Sequence, residues 1–410
     1  MSRGLPPATG TGHINEARGA FNAEEYTGRM ARIRAAMEER DLGALIVTSP
    51  ENIYYLIGLS HQGYFAFTML ILPYEGTPIL LTRGMERHTI SQQAPDVFHV
   101  GYQEGDDAGQ AAVRAVKQAG CEAALIGVDH SSMFFPPGVW RELEQGLPAA
   151  SWLDTSRSTG TDPSFRTGLI DWIRLVKSPA ELRQIRQAAA ISDRAARAGM
   201  EVAGVGTNEK EVAAAIYRAM ILGGGEYPGF VPLVRSTQTL MQEHATWGDR
   251  VLMPGDKLFL ELSGTSARYH APLTRMAYMA RAPKEARRAY EVALAGLEAT
   301  RSALRPGGRT GEVYEAWQTV IDEGLGHSSL PRHHCGYAVG IGFPPSWVGS
   351  SSVLGIRPGG RVEIKEGMVF HLLSWVTDPD LGDYLVSDTA EVCSGTAELL
   401  TSTARTLVVE

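Results

Sequence analysis

Apolar residues recur at helical spacing from Asn22 to Arg40, and a β-branched run, Ala44–Val47, follows them. Ala66–Leu72 and Pro78–Thr82 flank the turn signal Tyr74-Glu75-Gly76 and predict a hairpin. A helix near Met85–Ala94, a strand at Phe98–Tyr102 and a helix at Asp107–Ala119 come next. A strand at Ala124–Asp129, another helix and a strand at Trp152–Thr155 close the series. This alternation predicts an α/β domain over residues 21–155. The Ser/Thr-rich stretch that follows, with residues 156–170 as its extent, predicts a linker.

Residues 171–410 have a different pattern. Ser178 and Pro179 open a long Ala/Arg/Gln helix, with Ser as a cap for free N–H groups and Pro suited to the first turn. A second helix, capped by Thr207 or Asn208, runs to about Leu222. Strand-like segments lie around Phe230–Ser236, Lys257–Gly264 and Ala277–Arg281, followed by two helices between Lys284 and Gly324. From Gly336 onward short strands and Gly/Pro loops are expected. Helix pair, strands, helix pair, strands predicts an α+β domain of two similar halves.

Composition narrows the class. The 410 residues suffice for two or three domains, and 44% hydrophobic with 20% charged residues is a globular balance. A net charge of −8 argues against a nucleic-acid partner, which needs clustered Lys and Arg. No apolar run approaches the roughly 20 residues that span a bilayer. Residues 1–20 read as a flexible leader without the apolar core of a secretory signal. Cys121, Cys335 and Cys393 lie far apart, as reduced thiols do, so a cytoplasmic location is expected.

Several strings, in order, carry a family resemblance. They are Asn52-Ile53-Tyr54-Tyr55-Leu56-Ile57-Gly58, Arg174-Leu175-Val176-Lys177-Ser178-Pro179, and Pro254-Gly255-Asp256 before Leu258–Leu262. Tyr269-His270, Leu273-Thr274-Arg275 and Lys365-Glu366-Gly367-Met368-Val369-Phe370 complete the set. The chain resembles the creatinase, prolidase and methionine-aminopeptidase superfamily. That resemblance implies a creatinase-type N-terminal α/β domain, an α+β pita-bread catalytic domain, and a homodimer in which an N-terminal loop reaches the neighbour's site.

Metal-dependent members of that superfamily hold two divalent ions with Asp, Asp, His, Glu and Glu. The matching positions here are Glu261, Pro272, Tyr337, Leu373 and Ser387, so one potential ligand remains and no metal or other cofactor is expected. The chain looks most like the metal-free branch of creatinase and the ectoine hydrolases, which cleave C–N bonds at an sp² carbon between nitrogens. The carrying residues are Phe259–Gly264, Tyr269–Arg275, Gly336–Gly340 with Pro344-Pro345-Ser346-Trp347, and Ile356–Gly359 leading to Gly367–His371. In Tyr384–Thr389 the acidic residue is displaced, and His333-His334-Cys335 has no obvious counterpart.

Candidate chemistry follows. Glu261, mid-strand among apolar neighbours, is expected to be buried with a raised pKa suited to proton transfer, or else paired with Arg275. His244 falls where the superfamily carries a His at the reacting bond. Arg275 is a candidate clamp for a substrate carboxylate. Tyr269, His270, Tyr337 and His371 are candidate substrate contacts, and Trp375 with Trp347 forms either an apolar wall or core. Tyr64 and Phe65, in His61-Gln62-Gly63-Tyr64-Phe65, are candidate contacts from an exposed loop. The expected activity is metal-independent hydrolysis of a C–N bond in a small amidine or guanidino compound. A metal-dependent Xaa-Pro peptidase and a catalytically inactive binding dimer are the alternatives.

Overall fold

The computed structural model describes residues 20–156, 165–329, 331–349, 353–378 and 382–409. Apart from Ala20 the expected leader lies outside the described residues, as does most of the expected linker.

The N-terminal unit carries helices α1 (Ala23–Glu38), α2 (Pro50–Ile57), α3 (Arg87–Gln93), α4 (Ala108–Gln118) and α5 (Pro137–Gly146). Its strands are β1 (Ala44–Val47), β2 (Met69–Pro73), β3 (Ile79–Arg83), β4 (Phe98–Tyr102), β5 (Leu125–Val128) and β6 (Ser151–Asp154). They form one mixed sheet in the order β4-β3-β2-β1-β5-β6. β1 to β3 pair antiparallel through the expected hairpin, and the outer pairs are parallel. β1 and β2 are buried on both faces, which explains their unbroken apolar runs. Periodicity assigns no element to the segment Asn52–Gly58. It is helix α2, stopped by Gly58 in the left-handed conformation at φ 75°.

The C-terminal unit follows the short α6 (Leu169–Ile173). It contains α7 (Pro179–Val202), α8 (Glu209–Leu222), α9 (Ala286–Ala303) and α10 (Thr310–Leu325). Its strands are β7 (Leu233–Ser236), β8 (Lys257–Ser266), β9 (Tyr269–Met279), β10 (Gly336–Ala338), β11 (Val369–Val376), β12 (Tyr384–Glu391), β13 (Glu398–Leu399) and β14 (Val408–Val409). Ser178 and Glu181 form a reciprocal capping box at the start of α7, and Asn208 with Glu211 does so at α8. The main sheet runs β10-β11-β12-β9-β8-β7, with α7 against β8 and β9 and α9 against β11 and β12. This is the pita-bread architecture, with helix pairs on one side of the curved sheet.

Two expectations are corrected. The strand expected at Ala277–Arg281 is only the end of β9, which starts at Tyr269 and is buried along its length. The C-terminal part holds two eight-residue strands, β11 and β12, rather than short ones.

Arg29 ties the two units together. Its Nε pairs with Glu25 (3.0 Å), Nη1 donates to the Tyr55 carbonyl (3.1 Å), and Nη2 to the Tyr269 hydroxyl (3.4 Å). Tyr269 in turn donates to Glu181 Oε1 at 2.7 Å. Among the described residues no helix is long and apolar enough to cross a membrane.

Candidate active site

Directly opposed residues of an antiparallel pair project to the same side of a sheet. Glu261 opposes Thr274, Thr274 opposes Ser387, and Ser387 opposes Leu373. His371, two residues before Leu373, opposes Tyr337. One face therefore carries Glu261, Pro272, Thr274, Ser387, Leu373, His371, Trp375 and Tyr337. The other face belongs to the helices: Leu260, Leu262 and Leu273 pack into the α7–α8 core, and Trp317 of α10 donates to Ser374 Oγ at 3.2 Å. Every position matched to a metal ligand thus lies on the inner face.

Glu261 is half-buried and its carboxyl makes no hydrogen bond among the described residues. Burial raises its carboxyl to about 7; the Arg235 charge opposes the rise and Glu243 adds to it. Beside it a continuous polar line crosses the face. Ser387 Oγ meets His371 Nε2 at 2.6 Å, and His371 Nδ1 meets the Tyr337 hydroxyl at 2.8 Å. Trp347 Nε1 donates to that hydroxyl at 3.2 Å. Burial drives His371 down to about 3, with His334 and Arg275 adding to the effect, so the ring is neutral at physiological pH. One of its nitrogens donates and the other accepts. Burial and the Glu261 charge also keep Tyr337 protonated.

His244 lies on the β7–β8 loop, exposed, with a left-handed backbone at φ 62°. Its ring stacks on Phe230 (centroids 6.1 Å apart), and Phe230 meets Trp347 edge-on at 4.7 Å. Three anchors hold the loop. Arg235 Nη1 donates to the Leu240 and Gln242 carbonyls (3.1 and 2.8 Å). Thr246 donates to the Pro232 carbonyl at 2.6 Å. Buried Glu209 accepts from Ser236 Oγ at 2.5 Å and from the Gly248 N–H at 2.8 Å.

Other candidates are placed elsewhere. Arg275 alternates with Thr274 and so faces the helices. Its donors go to the Thr403, Thr274 and Ser387 carbonyls and to Asp388 Oδ1 at 2.8 Å, so it neither pairs with Glu261 nor clamps a substrate. Tyr269 also points away from the inner face, into the Arg29–Glu181 junction between the units. His270 is fully buried; Nε2 accepts from the Gly229 N–H (2.9 Å) and Nδ1 lies 3.0 Å from the Arg268 carbonyl. It orders the segment leading to Phe230 and has no nitrogen left for a substrate. Trp347 is buried as core, whereas Trp375 is half-buried with the Arg332 guanidinium 3.3 Å over its ring. Phe65 is 80% exposed, as expected of that loop. Tyr64 is instead buried, donating to the Leu59 carbonyl (3.0 Å) and packing on Phe343 at 5.2 Å.

Residues 29–176 match the creatinase/prolidase N-terminal domain, and residues 183–392, more than half of the chain, match metallopeptidase family M24. The chain belongs to family M24. The ectoine hydrolase of Halomonas elongata is 27% identical over 387 residues, covering 87% of this chain and 91% of that one. The probable dipeptidase PepE of Mycobacterium tuberculosis is 26% identical over 355 residues, covering 85% and 89%. In fold, the prolidase of Thermococcus sibiricus superimposes with a TM-score of 0.81 at 20% identity, covering 94% of this chain and all of that one. This M24 member is accordingly a hydrolase-family protein with relatives of both peptidase and ectoine-hydrolase name.

An M24 metal pair would need carboxylates and an imidazole at the inner-face positions. Pro272 and Leu373 offer no side-chain donor, and Tyr337 and Ser387 are engaged with His371. Among the described residues no cluster of three or more His, Cys, Asp or Glu is placed to hold a metal ion. The residues present do not fit two divalent cations.

Arg235 and Glu209 are not among the candidates drawn from the sequence, and His334 stands there only as a residue without a family counterpart. His334 meets Tyr337 edge-on at 5.6 Å, and its Nδ1 is buried without a partner. Burial, then His333, Arg357 and Arg332, lower it to about 4. A lone Arg in the apolar run Leu233-Val234-Arg235 was the available signal for the first of the three.

Proposed function

We propose that this M24 protein hydrolyses a non-peptide C–N bond in a small amidine or guanidino compound without a metal, with ectoine as the substrate to try first. The observation that carries this is Glu261: a carboxyl that burial raises to about 7, without a hydrogen bond among the described residues, on a face that otherwise has Pro272, Tyr337, Leu373 and Ser387 at the ligand positions. Without a Lewis acid an unactivated amide is a poor electrophile, but an amidine carbon becomes reactive once a nitrogen is protonated. The similarity to an ectoine hydrolase over most of both chains supports the same substrate class.

In this reading ionised Glu261 takes a proton from water as the water oxygen bonds to the amidine carbon. His244 gives a proton to the departing ring nitrogen, and the C–N bond breaks to leave an amide and an amine. Water supplies the oxygen and both protons of the net reaction. Tyr337, kept protonated and aligned by His371, offers its hydroxyl to the reacting group. Mass detection of ring-opened product from ectoine tests this. Product formed by wild type and lost in Glu261→Gln supports it, and full activity in Glu261→Gln contradicts it.

A further inference from the structure

Arg235 is only 5% exposed, yet half of its hydrogen-bonding edge is unused. It stands on β7 two residues beyond Leu233, which opposes Glu261, so its side chain shares the Glu261 face. The guanidinium carbon sits 4.1 Å from the Phe259 ring centroid, and Nη1 holds the Leu240 and Gln242 carbonyls. Nε is buried without a partner, and Nη2 makes no hydrogen bond among the described residues. That Nε–Nη2 edge is the one whose two parallel N–H groups match two carboxylate oxygens. The charges of Glu261 and Glu243 reach the guanidinium. A buried donor left open on a substrate-facing wall is costly unless a ligand fills it.

We infer that Arg235 binds the carboxylate of the substrate, its Nε–Nη2 edge taking both oxygens beside Glu261. The ligand class is a small monocarboxylate that also bears the amidine or guanidino group. A phosphate dianion suits the place less well, because Glu261 and Glu243 would repel the extra charge. The same side chain links recognition to chemistry. Nη1 anchors the loop that carries His244, while an anion on the opposite edge offsets the positive charge that favours ionised Glu261. Binding therefore moves the Glu261 ionisation upward, making it a stronger base in the complex.

The choice of substrate rests on the proposed hydrolase reading; the anion site does not, because acetate presents the same two oxygens. The test is a titration of the full chain, labelled with nitrogen-15 in arginine, with acetate and separately with acetamide. Arg235 Nε–H is identified by its loss in Arg235→Lys and, independently, by its ring-current shift over Phe259. Acetate is expected to shift that signal saturably and acetamide to leave it in place. No acetate-dependent shift overturns the inference. With ectoine, Arg235→Lys is expected to raise KM by roughly tenfold to a hundredfold and change kcat less. An unchanged KM for ectoine in that variant also counts against Arg235. A saturable acetate shift without ectoine turnover keeps the carboxylate site and removes the hydrolase reading instead.

Discussion

Burial makes the Glu261 carboxylate costly to ionise in the folded chain. Its proton is held to about 7 in the folded protein and released near the ordinary carboxylate range in the unfolded chain. Between those values the folded state binds more protons, so stability from this group falls as pH rises and is fully lost above about 7. Glu261→Gln is expected to be more stable than wild type at pH 8 by roughly 1–3 kcal/mol, with the gap closing toward pH 4, measured by denaturant unfolding. Its turnover should fall by about 10²–10⁴, the usual worth of a general base. In wild type, kcat/KM should climb with pH through about 7 as Glu261 ionises. At this scale the sequence spoke clearly about Glu261, Pro272 and Leu373, because fixed spacing from neighbouring strings placed them. It did not place Arg275, because which face a strand residue occupies depends on register. That register is set by the turn Ala267-Arg268, where both residues have positive φ (47° and 64°). Such two-residue hairpin turns are usually signalled by Asn or Gly, and neither is present.

At the scale of elements, that silent turn also hid β9, whose first half contains Pro272 and reads poorly as a strand. Caps were easier to read, since Ser178 and Asn208 announce α7 and α8 by local chemistry alone. The inner face and the strut behind it should respond differently to substitution. Arg275→Ala leaves buried Asp388 with Arg405 as its only cation among the described residues and should cost about 3–5 kcal/mol in denaturant unfolding. The surviving folded enzyme should keep its KM, since Arg275 faces the helices. Glu209→Ala removes the anchor shared by Ser236 and Gly248. It should speed hydrogen exchange in residues 237–248 and lower kcat, while the pH dependence set by Glu261 stays where it was. A shifted pH profile would mean that Glu209 acts on the carboxylate itself.

For the whole molecule, the alternation of elements and the family strings were enough to foresee two units and the pita-bread sheet. The way the units join was not legible, because Arg29, Tyr269 and Glu181 come from distant parts of the chain and meet only through folding. Arg29→Ala should loosen that junction and split unfolding into two calorimetric transitions. We propose further that exposed Phe65 faces a second copy of the chain. Phe65→Glu should then move the mass measured by light scattering toward the monomer. We propose amidine chemistry performed by Glu261 and His244 on an inner face whose residues do not fit a metal pair. It is tested most directly by incubating exhaustively chelated protein with ectoine, following ring-opened product by mass spectrometry and metal content by elemental analysis. The expected result is catalytic ring opening at far less than one bound metal per subunit. Stoichiometric metal together with dipeptide hydrolysis, and no ring opening, would contradict it.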